Sequence, residues 1–215
     1  MHELLTAQPG SKQLLLGNEA IVRGALEAGI SFATTYPGTP SSEIGDNFYR
    51  ISQETDLYFE YSVNEKVALE TAAAAAISEL RTMCSMKHVG LNVAADALLT
   101  LAYVGVKGGL VVVSADDPSM HSSQNEQDNR YYAQLAGLPM LEPANSQEAL
   151  EMTRAAFELS ESYQIPVLLR TTTRINHSRT PVEVGLLQPP RRTGVFKKDP
   201  FNLVTVPMVG RRLRV

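Results

Sequence analysis

Helical and strand-like patterns of apolar residues alternate along the chain. Apolar positions three and four residues apart predict helices, and short continuous apolar runs predict buried strands. The predicted helices are 18–28, 40–53, 65–80, 92–106, 125–136 and 146–163. The predicted strands are 30–35, 57–61, 81–86, 110–114, 138–141 and 165–170. This alternation predicts an α/β fold, a three-layer α/β/α arrangement with a mainly parallel sheet of about six strands.

Two helix starts coincide with residues that could also bind a ligand. Thr39 fits an N-cap, with Pro40 at the first helical position, and its hydroxyl could instead donate to a ligand oxygen. Asn92 fits the N-cap of the fourth helix better than a ligand contact. His88, just before it, is either an ordinary satisfied histidine or a group that faces a ligand.

Polar residues concentrate in the segments that follow the predicted strands. In an open α/β sheet, ligands bind at the carboxyl ends of the strands, so this asymmetry predicts a site at that edge. The segments that enter the strands, such as Ala28-Gly29 and Gly108-Gly109, are shorter and plainer. The polar segments are 36–39, 62–65, 87–92, 116–121 and 171–177.

Glu65 has two interpretations that the local sequence leaves open. Ser62-Val63-Asn64-Glu65 fits a capping box, in which Ser62 caps the helix and Glu65 binds back to the Ser62 amide. Alternatively, a lone carboxyl group at the ligand-binding edge can act as a general acid toward a bound cofactor.

Composition and charge bound the class of protein. The chain has 215 residues, 44% of them apolar and 20% charged, which suits one globular domain with a substantial core. The net charge of −4 gives the chain as a whole no nucleic-acid signature. After Gly185 there are seven basic residues against one acidic residue, with four prolines among them. We therefore expect residues 181–215 to form a basic, proline-containing connector or arm.

Several classes of site are absent from the sequence. The single cysteine, Cys84, excludes an internal disulfide and an iron–sulfur cluster held by this chain alone. The histidines lack metal-ligand spacing and Asp116-Asp117-Pro118 is typical of a turn, so we expect no metal site. There is no dinucleotide-binding glycine loop, phosphate loop or nucleophile elbow. With no membrane-length apolar stretch and no signal pattern, a cytoplasmic protein is expected.

Several separate motifs, in the same order, carry a family resemblance over residues 14–180. They are GNEA at 17–20, TYPGTPSSEI at 35–44, SVNEKVA at 62–68, MKHVGLN at 86–92 and VSADDP at 113–118. Together they closely resemble the N-terminal part of the α subunit of indolepyruvate:ferredoxin oxidoreductase, which is the pyrimidine-binding domain of a thiamine-diphosphate enzyme.

The resemblance implies a reaction and a set of roles. An aryl-2-oxo acid such as indolepyruvate is decarboxylated on thiamine diphosphate, the acyl unit passes to coenzyme A, and electrons leave through iron–sulfur clusters to ferredoxin. Glu65 would be the catalytic, cofactor-activating carboxylate, sharing its proton with a ring nitrogen of the aminopyrimidine. Two loops would border the pyrimidine and the substrate, namely Pro37, Gly38 and Thr39, and His88, Val89, Gly90 and Asn92.

The resemblance also implies missing parts. Such enzymes hold Mg²⁺ and the diphosphate with a second domain that carries Gly-Asp-Gly, and this sequence has no such motif. Mg²⁺ and the iron–sulfur clusters are therefore expected on another domain or partner subunit. The chain would be the front portion of a longer subunit, or a split version of it, and inactive alone. A homodimer is expected because thiamine sites form between domains, often across subunits.

Three alternatives remain open at this point. In the first, the chain belongs to a related enzyme of the same family whose substrate is pyruvate or a branched-chain oxo acid. In a different class, the chain is a non-catalytic α/β interaction module in which Glu65 only caps a helix. It could also be a nucleotide-binding domain without a recognised phosphate loop.

Overall fold

The computed structural model describes residues 1–190 and 193–213. The strands in this part of the chain are β1 Lys12–Leu16, β2 Phe32–Thr35, β3 Tyr58–Tyr61, β4 Thr82–Lys87, β5 Leu110–Asp116, β6 Met140–Leu141, β7 Val167–Thr172 and β8 Arg179–Glu183. The helices are α1 Glu3–Thr6, α2 Gly17–Glu27, α3 Ser42–Ser52, α4 Glu65–Ile77, α5 His88–Val104, α6 Arg130–Ala136, α7 Ser146–Tyr163, α8 Thr173–His177, α9 Pro200–Leu203 and α10 Pro207–Leu213.

Six of the strands form one sheet in the order β3-β2-β4-β5-β7-β6, and every neighbouring pair is parallel. This confirms the predicted sheet. The sequence did not predict β1 and β8, which form a separate antiparallel pair in which Leu16 lies opposite Arg179.

The central strand β5 shows how the sheet is covered on both faces. Side chains alternate along a strand, so Val111 and Val113 point to one face and Leu110 and Val112 to the other. The first face packs against buried residues of α2, α3 and α7, and the second against buried residues of α4, α5 and α6. The three-layer prediction is confirmed, and the hydrophobic effect on two faces explains the continuous apolar run of this strand.

Three predicted helix caps are wrong, because tight turns and strand ends place the helices differently. Thr39 lies exposed in a turn before α3, whose first residue is Ser42. Asn92 lies inside α5, because β4 runs directly into the helix at His88. Ser62 does not cap α4: the Asn64 side chain accepts the hydrogen bond from the amide of the third helical residue.

The end of the described chain is only partly regular. β8 extends to Glu183, and α9 and α10 interrupt the region expected to be an irregular connector. Val209 of α10 is buried, so this segment packs on the body of the domain. Arg191, Arg192 and Arg214, three of the basic residues in the predicted arm, lie outside the described residues. The boundary near residue 180 stays a prediction.

Within residues 1–190 and 193–213, no helix combines the length and the apolar character needed to cross a membrane.

Candidate active site

Glu65 lies where β3 ends and α4 begins, at the carboxyl edge of the sheet. It is the first residue of α4, and Asn64 fixes this helix start by accepting a hydrogen bond from the Val67 amide at 2.9 Å. Glu65 is 8% exposed, and within the described chain no group donates a hydrogen bond to its carboxylate. Neither carboxylate oxygen is among the fully buried polar atoms that lack a partner, so a group at the edge of the sheet can reach the carboxylate.

The Glu65 side chain lies against the first turn of α5. A Cβ atom placed on Gly90 would stand 2.6 Å from both Cγ and Oε1 of Glu65. The carboxylate therefore occupies the space that any side chain at position 90 would need.

Cys84 is fully buried on the strand that leads into α5, and burial raises the pKa of its thiol to about 12.

The other predicted site residues between 88 and 92, which lie at the start of α5, differ in burial and in their hydrogen-bond partners. His88 is fully buried, and its Nε2 lies 3.0 Å from the Asn125 carbonyl oxygen, while Nδ1 has no partner. Val89 is half-buried. Asn92 is exposed, and its Oδ1 accepts a hydrogen bond from the Tyr132 hydroxyl at 2.6 Å. Thus Gly90 meets Glu65, whereas Asn92 is engaged with α6.

The turn after β2 is built by long-range contacts. Pro37 and Thr39 are exposed, and Gly38 is half-buried against Lys87, so that a Cβ atom on Gly38 would stand 2.9 Å from Cδ of Lys87. Lys87 in turn donates from Nζ to the Ser122 carbonyl oxygen at 3.3 Å. These contacts bring the 36–40 turn, the start of α5 and the loop after β5 to one side of the sheet edge.

Two buried asparagines hold the end of this turn. The Pro40 carbonyl oxygen accepts hydrogen bonds from Nδ2 of Asn18 at 2.8 Å and Nδ2 of Asn176 at 3.0 Å. Asn18 comes from α2 and Asn176 from α8, so elements far apart in the chain fix the backbone beside Thr39. Sequence reasoning missed both asparagines, because a side chain that serves a distant carbonyl leaves no local pattern.

A buried ion pair anchors the loop that follows β5. Asp116 is fully buried and accepts from Nε of Arg170 at 2.8 Å and from the Asn129 amide at 3.0 Å. Arg170 also pairs with Glu142. Burial raises the pKa of Asp116, even though Arg170 and the Asn129 amide favour the charged form. The sequence analysis did not identify this ion pair. The pattern that could have indicated it is a charged residue near the end of each of two neighbouring apolar strands.

Asp117 ties the same loop to α8. Its Oδ1 accepts from the Thr173 hydroxyl at 2.7 Å, and its Oδ2 accepts from the Ser122 amide and the Ser123 hydroxyl, both at 2.8 Å. Burial acts to raise the pKa of Asp117, but these hydrogen bonds outweigh it and hold the pKa well below its usual value. The adjacent carboxylates therefore serve as structural acceptors.

The described residues contain no group of three or more His, Cys, Asp or Glu side chains placed to hold a metal ion. The edge offers the Glu65 carboxylate, which has no hydrogen-bond partner in the described residues, and the exposed hydroxyl of Thr39.

Comparisons with known proteins indicate the family of the chain. Residues 23–197 match the family model described as "Pyruvate flavodoxin/ferredoxin oxidoreductase, thiamine diP-bdg". The chain is 58% identical over 211 residues to indolepyruvate oxidoreductase subunit IorA of Methanothermobacter thermautotrophicus, which covers 98% of this chain and 34% of that relative. It is 55% identical over 214 residues to the subunit of the same name in Thermococcus kodakarensis, with 97% and 33% covered. The chain thus spans about a third of the length of these relatives.

More distant proteins show a weaker likeness. 2-oxoglutarate synthase subunit KorA of Methanothermobacter thermautotrophicus is 30% identical over 182 residues, with 78% of this chain and 46% of that relative covered. A solved 2-oxoglutarate:ferredoxin oxidoreductase from Magnetococcus marinus, with 2-oxoglutarate, coenzyme A and succinyl-CoA bound, superposes with a TM-score of 0.75. It shares 18% identity and covers 87% of this chain and 34% of its own, so it shows the fold alone. The family match over most of the chain, with the fold that accompanies it, shows that this protein belongs to the thiamine-diphosphate-binding family of pyruvate flavodoxin/ferredoxin oxidoreductases.

Proposed function

We propose that this chain forms the pyrimidine-binding half of a thiamine-diphosphate-dependent oxidoreductase that oxidatively decarboxylates aryl-2-oxo acids such as indolepyruvate. The products would be an acyl-coenzyme A and reduced ferredoxin. The observation that carries the proposal is Glu65, a largely buried residue at the ligand-binding edge of the sheet whose carboxylate has no hydrogen-bond partner in the described part of the chain.

The residues present fit the cofactor's aminopyrimidine. A ring nitrogen that shares a proton with the Glu65 carboxyl group would supply the partner that the described protein does not. Glu65 is 8% exposed, so little water competes for this hydrogen bond, and a low local dielectric strengthens it. When bound, thiamine diphosphate supplies the carbon nucleophile that attacks the 2-oxo group and accepts the electrons left by decarboxylation.

The two neighbouring loops take different parts in the proposal. Thr39 is exposed in a turn whose backbone is fixed at Pro40, so its hydroxyl can donate to a substrate oxygen from a stable position. Pro37 and Gly38 would form the same wall. At the start of α5, Val89 and Gly90 would border the pyrimidine, with His88 buried behind them. Asn92 is the weakest of the predicted contacts because it is engaged with Tyr132.

The choice of substrate is supported by the relatives. Similarity is far higher to the subunits named for indolepyruvate than to the subunit named for 2-oxoglutarate, at 58% against 30% identity. The proposed partners follow from the reaction: a diphosphate-binding domain or subunit with Mg²⁺, a second oxidoreductase subunit, iron–sulfur clusters on those parts, and ferredoxin. Assembly as a homodimer belongs to the same proposal.

The experiment is a comparison of Glu65→Gln with a matched control in the enzyme reconstituted from this chain and the diphosphate-binding part. Glu65→Gln keeps the side chain's size but removes the exchangeable acid, so kcat should fall on the order of 10²–10⁴-fold. Glu70→Gln on the exposed face of the same helix should leave kcat unchanged. Undiminished turnover by a folded Glu65→Gln enzyme would leave Glu65 with a structural role only.

Binding to the chain alone gives a second test. Because the proposal assigns Mg²⁺ and the diphosphate to another part, calorimetry on the 215-residue chain should give only weak binding of thiamine diphosphate. Tight, Mg²⁺-dependent binding by this chain alone would contradict the half-site proposal.

A further inference from the structure

Gly90 is a glycine whose backbone does not require one. It is the third residue of α5, and it is not among the glycines with a left-handed backbone, which are Gly10, Gly29, Gly105 and Gly137. Glycine inside a helix is less favourable than alanine, because it loses more conformational freedom on folding. The reason for glycine at position 90 must therefore lie in the space around it.

That space is filled by Glu65. A Cβ atom on Gly90 would stand 2.6 Å from Cγ, 2.6 Å from Oε1 and 2.9 Å from Cδ of Glu65, all closer than real atoms approach. The contact at Cγ matters most, because this atom is near the base of the side chain. Rotating the terminal carboxyl group would leave that collision in place, so the whole side chain would have to swing away.

The backbones on both sides are held firmly. Glu65 begins a helix capped by Asn64, and Ala68 and Leu69 in its next turn are fully buried. Beside Gly90, Leu91 is fully buried in the same apolar cluster. A methyl group at position 90 would thus be accommodated by movement of the Glu65 side chain, and not by separation of α4 from α5.

We infer that Gly90 is a positioning residue, whose missing side chain lets the Glu65 carboxylate lie against the first turn of α5. This role is additional to the proposed position of Gly90 beside the pyrimidine. The contact itself stands on the geometry alone, whereas its consequence for catalysis rests on the proposed function.

The test of the contact is a double-mutant cycle on the stability of the 215-residue chain, measured as the urea midpoint of unfolding. Gly90→Ala should lower the midpoint when Glu65 is present. In a Glu65→Ala background the collision is gone, so Gly90→Ala should leave the midpoint unchanged or raise it. An equal shift in the two backgrounds would overturn the inference.

The test of the catalytic consequence uses the reconstituted enzyme. Gly90→Ala should lower kcat on the order of 10- to 100-fold at saturating oxo acid, with little change in KM, because it misplaces a group that does not bind the substrate. Gly109→Ala is the matched control: its Cβ atom would crowd Cδ1 of Phe157 at 3.0 Å, just before β5 begins and so at the amino edge of the sheet, opposite the edge that carries Glu65. An undiminished kcat for Gly90→Ala, or an equal fall for Gly109→Ala, would overturn the positioning role.

The two proposals fail in different ways. The stability cycle can show coupling between Gly90 and Glu65 while the Glu65→Gln enzyme keeps full turnover. That result would refute the proposed function and leave the contact established. If the cycle shows no coupling but Glu65→Gln loses turnover, only the positioning role is refuted.

Discussion

The buried pair of Arg170 and Asp116 permits a quantitative prediction. Replacing Arg170 by methionine keeps an apolar stem but leaves the fully buried Asp116 without its cation. Removing one partner of a buried ion pair costs about 3–5 kcal/mol. The Asn129 amide donates to Asp116 at 3.0 Å and is left in place by the substitution, so the expected loss in the free energy of unfolding is about 3 kcal/mol, the lower end of that range.

The loss should depend on pH in a defined direction. Burial already raises the pKa of Asp116, and removing Arg170 raises it further. A carboxyl group whose pKa is higher in the folded protein binds more protons there than in the unfolded chain. Its contribution to stability therefore falls as pH rises from the unfolded value, about 3.9, to the folded value. The variant should lose least near pH 4 and most at neutral pH.

Urea unfolding of the wild type and of Arg170→Met at pH 5 and pH 7.5 measures both effects. The double variant Asp116→Asn/Arg170→Met should recover much of the lost stability, because no buried charge is left without a partner. Arg130→Met is the control: Arg130 pairs with Asp128 on the surface, where ion pairs contribute little, so this change should cost far less stability than Arg170→Met. A loss below about 1 kcal/mol at pH 7.5, or a loss independent of pH, would refute the reasoning.

Three further predictions concern the elements around the site. Asn64→Ala removes the cap on Val67 and should lower the free energy of unfolding by about 1 kcal/mol, which thermal or urea unfolding measures against Val63→Ala as an exposed control. Asp117→Asn should lose about 2 kcal/mol at neutral pH. Because the folded pKa of Asp117 is depressed, its advantage over the variant should shrink as pH falls below about 4; a constant difference down to acid pH would contradict this. Cys84 is buried with a pKa of about 12, so iodoacetamide should label it at pH 8 only as fast as the protein unfolds, and rapid labelling of the native protein would count against the burial.

Much of the fold was predictable because burial leaves a periodic pattern. The helix predicted over 146–163 has those same bounds in the structure, and the apolar run that begins at Leu110 is the central strand. The pair β1 and β8 was not predictable, because it joins Leu16 to Arg179 across most of the chain and buries little apolar surface. Helix starts were also misplaced, since a cap depends on the turn geometry that precedes it.

The position of Glu65 at the sheet edge was predictable, but its contacts were not. Local sequence placed Glu65 at the carboxyl end of a strand, as the structure has it, and the structure removes the capping-box interpretation, because Asn64 is the cap. The contact of Gly90 with Glu65 and the support of Pro40 by Asn18 depend on how distant elements meet. No pattern within a single element encodes them.

The central claim is that the Glu65 carboxyl group activates the bound cofactor, and it can be measured without following the complete reaction. In the reconstituted enzyme with thiamine diphosphate and Mg²⁺, the exchange of the thiazolium C2 proton with D₂O can be timed by quenched-flow NMR. The account predicts that Glu65→Gln slows this exchange on the order of 10²–10⁴-fold while Glu70→Gln leaves it unchanged. Exchange at the wild-type rate in a folded, cofactor-loaded Glu65→Gln enzyme would contradict it.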